Sequence, residues 1–215
     1  MVNVIKVSIM SILVIVLLLP NIVMADNVFP ESKKPTFDYF IMSFCPFSNQ
    51  VEGVLNEIYP ELSKYVKFKP NYVIYSGGSA NSCIETNKGK VCALHGLAEL
   101  NQNVREVCVK QKYGLKKYYK FVTSVNDRCT LDNVDTCWKD VAKDAGINVK
   151  KIEKCAKKRS ISILKKELKK TQTAGVLGSP TMFINGKEYD GSRTAESIKN
   201  ALCSAIKGKK PTTCV

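Results

Sequence analysis

The chain has 215 residues, a formal net charge of +14 at pH 7 and 45% hydrophobic residues. This length suits a single domain with a sizeable core better than two domains. The basic residues are spread along the chain, without the interleaved arginines and aromatics or the finger spacing of nucleic-acid-binding proteins, so the sequence favours no nucleic-acid partner.

The first 25 residues have the pattern of an export signal. Lys6 precedes an apolar run from Val7 to Leu19, and small residues before Asp26 suit signal peptidase. A retained membrane tether over residues 7–25 is the alternative, because its length approaches the roughly 20 residues that a bilayer requires. Either form makes the remainder, 26–215, a secreted or membrane-anchored extracytoplasmic domain, where disulfides persist.

The next segments predict a strand, a helix and a second strand. Thr36–Met42 is short and rich in aromatic and β-branched residues, as a buried strand should be. Pro46 suits the first turn of a helix. Residues 65–75 return to strand composition. The predicted helix between them carries apolar residues at helical spacing: Val51, Leu55, Ile58 and Leu62.

A long, mostly helical insert is predicted from about residue 76 to residue 172, and it holds most of the cysteines. One helix within it begins at Asp132 and ends at Gly146. The densest basic run extends from Lys154 to Lys170, and we interpret its lysines as a solvated helix face; attraction to anionic lipid or acidic polymer is the alternative. The predicted inner face of this helix consists of Ile161, Leu164 and Leu168.

The last third returns to sheet and helix. Thr181–Ile184 reads as a strand, Asn185-Gly186 is a strong hairpin signal, and Lys187–Tyr189 is the returning strand. A final helix is predicted from about Thr194 to Ile206. The order β-α-β, helical insert, β-β-α predicts an α/β chain with a thioredoxin fold and a large, disulfide-stapled helical insertion.

Nine cysteines leave at least one thiol without an intramolecular partner, and Cys45 stands apart from the rest. The other eight allow 105 pairings, and we predict structural disulfides between sequence neighbours. A zinc site would need paired C-x-x-C spacings, which the sequence lacks, so we expect no metal and no organic cofactor. The predicted pairs are Cys83 with Cys92, Cys108 with Cys129, Cys137 with Cys155, and Cys203 with Cys214.

Cys45 is predicted at the junction of the first strand and the first helix. A helix N-terminus stabilises a thiolate, which is the attacking species in disulfide exchange. Pro46 has no N–H to donate, but the backbone of Phe47 and Ser48 can direct N–H groups at the sulfur. The Ser48 hydroxyl can add a hydrogen bond to the thiolate, although it cannot attack a mixed disulfide.

Two segments resemble known families. Residues 175–181, with the strand and the Asn185–Lys187 turn that follow, resemble the cis-proline loop and closing hairpin of the DsbA-like thioredoxin oxidoreductases. The central segment is similar to the gamma-interferon-inducible lysosomal thiol reductases. The residues at that family's spacing are His95, Gly96, Glu99, Asn103 and Cys108.

The resemblance implies a substrate platform beside Cys45, formed by a cis Pro180 and the backbone of Ser179, with Pro46 and Phe47 adding contacts. Ser48 stands where a dithiol enzyme carries its resolving cysteine, so the site is a monothiol C-x-x-S. His95 is expected to cap or pack its helix, with a role as catalytic base for Cys45 as the alternative.

The sequence leaves three candidate functions open. The first is an exported thiol–disulfide oxidoreductase of the reductase or isomerase type, in which Cys45 is the nucleophile, Ser48 and Pro180 complete the site, and the partners are protein thiols and disulfides. An external thiol or a redox partner protein would release it. The second is a module that traps thiols or binds peptides without turnover. The third is a disulfide-stapled structural domain with an inert Cys45.

Overall fold

The computed structural model describes residues 34–214, so the predicted export signal or tether lies outside the described residues. The four strands of its main sheet are β1 (Thr36–Ile41), β2 (Lys67–Tyr72), β5 (Thr181–Ile184) and β6 (Lys187–Glu188). They lie in the order β2-β1-β5-β6. Strand β1 is parallel to β2 and antiparallel to β5, and β5 is antiparallel to β6.

Five α-helices are present in the described part of the chain. None of these helices is both long enough and apolar enough to cross a bilayer. A separate hairpin, β3 (Cys83–Thr86) with β4 (Gly89–Cys92), precedes the helical insert. The helices are α1 (Pro46–Leu62), α2 (Leu97–Arg128), α3 (Val134–Asp144), α4 (Val149–Thr173) and α5 (Ala195–Ala205).

The core follows from the alternation of β1. Phe37, Tyr39 and Ile41 face the main core, while Phe40 and Met42 face a smaller cluster on the other side of the sheet. This is the expected pattern, because successive strand residues point to opposite faces. The four predicted apolar residues of α1 are all buried against the main core. The predicted thioredoxin-like α/β fold with a disulfide-stapled helical insertion is confirmed.

The insert differs from the sequence prediction at its start. Residues 83–92 form a hairpin, closed by the Cys83–Cys92 disulfide, where a helical stretch was expected. Its strands are only four residues long and partly exposed. Their sequences do not alternate between apolar and polar residues, which is the pattern that predicts a strand. Helix α2 is broken at Gly114, whose φ of 76° lies in the left-handed region that favours glycine.

Two of the four predicted cysteine pairs are wrong. Helices α2 and α4 pack side by side and join Cys108 to Cys155, with a Cα–Cα distance of 6.1 Å. Cys129, just after α2, pairs with Cys137 on α3 at 5.8 Å. Pairing in simple chain order therefore failed, because the packing of α2 against α4 joins Cys108 to a residue 47 positions away and leaves Cys129 to its nearest neighbour, Cys137. The Cys83–Cys92 and Cys203–Cys214 pairs are confirmed, and Cys45 is the free cysteine.

The buried face of α4 is also shifted from the prediction. Ile161 is only partly buried, and the buried residues of this part of the helix include two polar ones, Glu167 and Thr171. Their side chains bind the outer edge of β2: Tyr72 N donates to Glu167 Oε2 at 3.1 Å, and Ile74 N donates to Thr171 Oγ1 at 3.3 Å. A purely apolar face would leave these buried backbone groups without partners.

Candidate functional site

Cys45 lies between the carboxyl end of β1 and the first residue of α1. It is the N-cap of α1, with φ −78° and ψ 120°, and Pro46 is the first helical residue. Its backbone N–H donates to Met42 O at 3.1 Å, which fixes the turn out of the strand. The side chain is partly buried and remains accessible. The thiol therefore sits at the positive end of a helix, where a negative charge is stabilised.

Hydrogen bonding lowers the pKa of Cys45 below the ordinary value of a thiol. Burial alone raises this pKa, but hydrogen bonds with Ser179, with the backbone and side chain of Ser48 and with the backbone of Phe47 outweigh it. Both backbone donors expected from the sequence therefore act on the sulfur. The thiolate fraction at neutral pH is accordingly larger than that of a free cysteine.

Ser48 is fully buried, and its hydroxyl serves the backbone as well as the thiol. Met42 N donates to Ser48 Oγ at 3.3 Å, so the serine also fastens the end of β1 to the first turn of α1. The sequence prediction placed Ser48 at the sulfur but missed this second contact.

Ser179, in the loop before β5, also lies close to the sulfur. In the thiol form, Cys45 Sγ can donate to Ser179 O, 3.5 Å away. The buried Ser179 hydroxyl makes no hydrogen bond to any other described residue, so its proton is available to the Cys45 thiolate, whose pKa it lowers. The Ser179–Pro180 peptide bond is cis.

We expect Ser179→Ala to raise the pKa of Cys45. A hydrogen bond to a charged group is worth about 1.5–3 kcal/mol, which corresponds to a shift of about one pKa unit or more. The measurement is the rate of Cys45 alkylation against pH, whose midpoint should move upward. Ser192→Ala, an exposed serine of the neighbouring loop, is the control. An unchanged midpoint in Ser179→Ala would show that this hydroxyl does not stabilise the thiolate.

The surface around Cys45 exposes apolar side chains. Phe47 is 56% exposed and Leu177 is 88% exposed, which is unusual for residues of this size. Arg193 lies over the Phe47 ring at 4.5 Å, and Tyr75 OH donates to Leu177 O at 3.0 Å. Both residues are thus tied to neighbours while they face solvent. A polar cleft of about 450 Å³ opens beside Pro180, lined mainly by residues 188–193.

A buried polar network lies behind the site. Ser43, two residues before Cys45, donates to Glu106 Oε2 at 3.2 Å, and Tyr72 OH donates to the same oxygen at 2.7 Å. Tyr118 links Tyr72, at 2.9 Å between hydroxyls, to Glu52 on α1. Tyr118 is fully buried, and its hydroxyl group joins the two carboxyl-bearing parts of this network.

The two carboxyl groups of this network have raised pKa values. Burial raises the pKa of Glu106 to about 7 and raises that of Glu52 well above the usual range, and the negative charge of Glu106 raises the Glu52 value further. Sequence reasoning missed both residues. Glu52 lies one turn before the buried Leu55 of α1, which was an available signal, whereas the helical neighbours of Glu106 include the polar Gln102 and Asn103 and gave none.

His95 lies just before α2 and packs against Glu99, with no side-chain hydrogen bond that caps the helix. The His95 backbone N–H donates to Glu99 Oε2 at 2.9 Å, and His95 Nδ1 lies 3.1 Å from Glu99 Oε1. Among the described residues, this imidazole therefore contacts the Glu99 carboxylate and not Cys45. Within residues 34–214, no group of three or more His, Cys, Asp or Glu side chains is arranged to hold a metal ion.

Sequence comparison relates the chain to plant sorting receptors. A family model described as the vacuolar sorting receptor thioredoxin-like domain matches residues 46–203. Vacuolar-sorting receptor 4 of Arabidopsis thaliana is 27% identical over 72% of this chain and 30% of the receptor. Vacuolar-sorting receptor 1 of Pisum sativum is 26% identical over 68% of this chain and 28% of the receptor. The chain thus spans less than a third of these relatives.

Structural comparison relates the fold to bacterial thiol–disulfide oxidoreductases. Oxidised BdbD of Bacillus subtilis superposes with a TM-score of 0.59 at 16% identity, covering 83% of this chain and 91% of that one. MdbA, a thiol-disulfide oxidoreductase of Corynebacterium diphtheriae, gives a TM-score of 0.56 at 14% identity, covering 83% and 86%. At such identities the likeness establishes the fold. The matched family model describes the thioredoxin-like domain of sorting receptors. It is not a model of the lysosomal thiol reductases, which the central motif resembles.

Proposed function

We propose that this chain, which belongs to the family of vacuolar sorting receptor thioredoxin-like domains, is an extracytoplasmic thiol–disulfide exchange protein that acts on protein partners through Cys45. The observation that carries the proposal is the free Cys45 thiol at the N-terminus of α1, with its pKa lowered by hydrogen bonds from three residues. Four disulfides in the same chain support an oxidising location.

The chemical step is a thiol–disulfide exchange. The Cys45 thiolate attacks one sulfur of a partner's disulfide, a new S–S bond joins the two proteins, and the other partner sulfur leaves as a thiolate. Ser48 and Ser179 hold the attacking charge before the step. The leaving thiolate takes a proton from solvent, and the chain itself is neither oxidised nor reduced overall once Cys45 is released.

Release requires a thiol from elsewhere, because the other eight cysteines are paired and Ser48 cannot attack sulfur. Attack by the partner's own thiolate on the mixed disulfide returns Cys45 and leaves the partner with a rearranged disulfide, which is isomerisation. Attack by an external small thiol on the partner's sulfur also returns Cys45, and it leaves the partner with one free thiol and one mixed disulfide to the small thiol. In both cases one S–S bond forms as another breaks.

The partner is proposed to be an extended or unfolded protein segment. Phe47, two positions after Cys45, and Leu177, two positions before Ser179, expose large apolar surfaces, and Ser179 offers its backbone carbonyl to the thiol. Pro46 belongs to the same surface as the first residue of the helix.

A second candidate is a binding module that keeps its partner as a long-lived adduct. The binding module is favoured because position 48 carries a serine and no resolving thiol. It is also favoured by the name of the relatives, which are sorting receptors. The two candidates differ in whether Cys45 is recycled.

The test is the cleavage of a fluorescent peptide disulfide by purified protein, with and without millimolar glutathione. Exchange chemistry predicts many cleavages per Cys45 when glutathione is present, and about one without it. One equivalent of persistent adduct under both conditions would favour the binding module. Cys45→Ala is the blank, and cleavage by this variant that is faster than cleavage by glutathione alone would contradict both candidates.

A further inference from the structure

A lysine-rimmed pocket of about 760 Å³ lies apart from Cys45, between the β2 edge of the sheet and helices α2 and α4. Its apolar lining comes from all of these elements and from β1. Five lysines line the same pocket with a single carboxylate, Asp38. The apolar lining consists of Phe40, Phe68, Leu115 and Ala174, and the lysines are Lys69, Lys110, Lys166, Lys169 and Lys170.

We propose that this pocket binds a small anionic amphiphile, an apolar chain that carries a carboxylate. The site goes beyond the proposed exchange function and does not depend on it. The apolar chain would cover the aromatic and aliphatic lining, and the carboxylate would be held by the lysine rim.

The charge of the rim is not neutralised by the chain itself. Lys69 is paired with Asp38 at 3.3 Å, and Lys170 is paired with Glu167 at 2.7 Å. The remaining rim lysines make no ion pair with another described residue. They are Lys110, Lys166 and Lys169. Three ammonium groups around one apolar cavity are electrostatically complementary to an anion.

Lys110 is the most buried of these cations. Its ammonium group donates to Pro70 O at 2.5 Å, which leaves two further N–H donors. Burial lowers the pKa of Lys110 to about 8; the charge of Glu167 opposes this effect, and the neighbouring Lys170 and Lys166 add to it. An anion in the pocket would meet the free donors and offset that burial. A smaller cleft of about 130 Å³ shares these lysines and adds Arg159, so the positive surface continues between α2 and α4.

The outer edge of β2 decides against a peptide strand as the ligand. Lys110 binds Pro70 O, Glu167 accepts from Tyr72 N, and Thr171 binds both Tyr72 O and Ile74 N. The outward backbone groups from Pro70 to Ile74 are therefore already paired, and Pro70 has no N–H. A strand added here would find few hydrogen-bond partners. Recognition must then rest on apolar burial and ammonium contacts, which an amphiphilic carboxylate provides.

The experiment is calorimetric titration of the natural protein with dodecanoate below its micelle concentration. We expect saturable binding at one site and none with decyltrimethylammonium, which has an apolar chain and the opposite charge. Lys166→Met with Lys169→Met removes two rim charges that have no ion pair with described residues. This double variant should weaken binding about tenfold or more, because a hydrogen bond between an ammonium group and a carboxylate is stronger than one between neutral groups.

The matched control is Lys157→Met with Lys158→Met, two exposed lysines of the same helix outside the pocket. It changes the net charge equally and should bind as the natural protein does. Thr173→Trp, which fills the pocket, should abolish binding. Near-UV circular dichroism checks that each variant is folded. Absence of saturable binding, equal binding by both double variants, or equal binding of the cationic amphiphile would overturn the proposal.

Discussion

Ser48→Cys is expected to turn long-lived Cys45 adducts into short-lived ones. Ser48 lies three positions after Cys45, on the first turn of α1, and its side chain already contributes to the hydrogen bonding of the sulfur. A thiol at this position can attack the mixed disulfide from within the chain. Because the attack becomes intramolecular, adduct release should accelerate by about a hundredfold or more relative to millimolar external thiol.

The comparison is adduct lifetime with one disulfide peptide, followed by acid quenching and intact-mass measurement. Ser63→Cys is the matched control, because it adds a thiol at the other end of the same helix. It should leave the lifetime unchanged. Equal lifetimes in the natural protein and in Ser48→Cys would mean that the two positions do not form a reactive pair. The replacement also removes the Met42 contact, so a thermal unfolding curve must show that the variant is folded.

Between pH 5 and pH 8, the native protein is expected to lose stability as the pH rises, and Glu106→Gln should remove part of that loss. A glutamate in the unfolded chain has a pKa of 4.5, whereas burial raises the pKa of the folded Glu106 to about 7 and keeps it protonated up to that pH. The folded state therefore holds more protons in this window, so a rise in pH favours unfolding. The effect of this one group is on the order of 2–3 kcal/mol.

The measurement is the free energy of unfolding in urea at several pH values. Glutamine keeps an oxygen that can accept from Tyr72 OH and has no charge to bury, so the curve of Glu106→Gln should be flatter and its stability at pH 8 higher. Glu57→Gln, an exposed glutamate of α1, should leave the curve unchanged. An identical slope in Glu106→Gln and the natural protein would contradict the assignment of a buried, protonated carboxyl group.

The sequence predicted those parts of the fold that local pattern determines. The strand before Cys45, the helix that begins at Pro46, and the Asn185-Gly186 hairpin all follow from short-range chemistry. The odd cysteine count likewise identified Cys45 as the free thiol. The strand, the helix and the hairpin each depend on residues a few positions apart, where spacing alone is informative.

The sequence did not predict features that depend on how the elements pack. The Cys108–Cys155 disulfide joins residues 47 positions apart, because α2 and α4 lie side by side. Glu106 reads as an ordinary helix-surface residue, and no sequence pattern shows that the Tyr72 and Tyr118 hydroxyls lie beside Glu106 and Glu52. The buried Ser179 hydroxyl was likewise hidden, since its role depends on the approach of the loop to Cys45.

The most direct measurement of the central claim is peptide mapping of the natural protein after brief exposure to a disulfide peptide at pH 7, without added reductant. The account predicts one adduct per chain, located on Cys45, that dithiothreitol removes while Cys45→Ala forms none. An adduct on another cysteine, a Cys45 already bridged within the chain, or no adduct at all would contradict it.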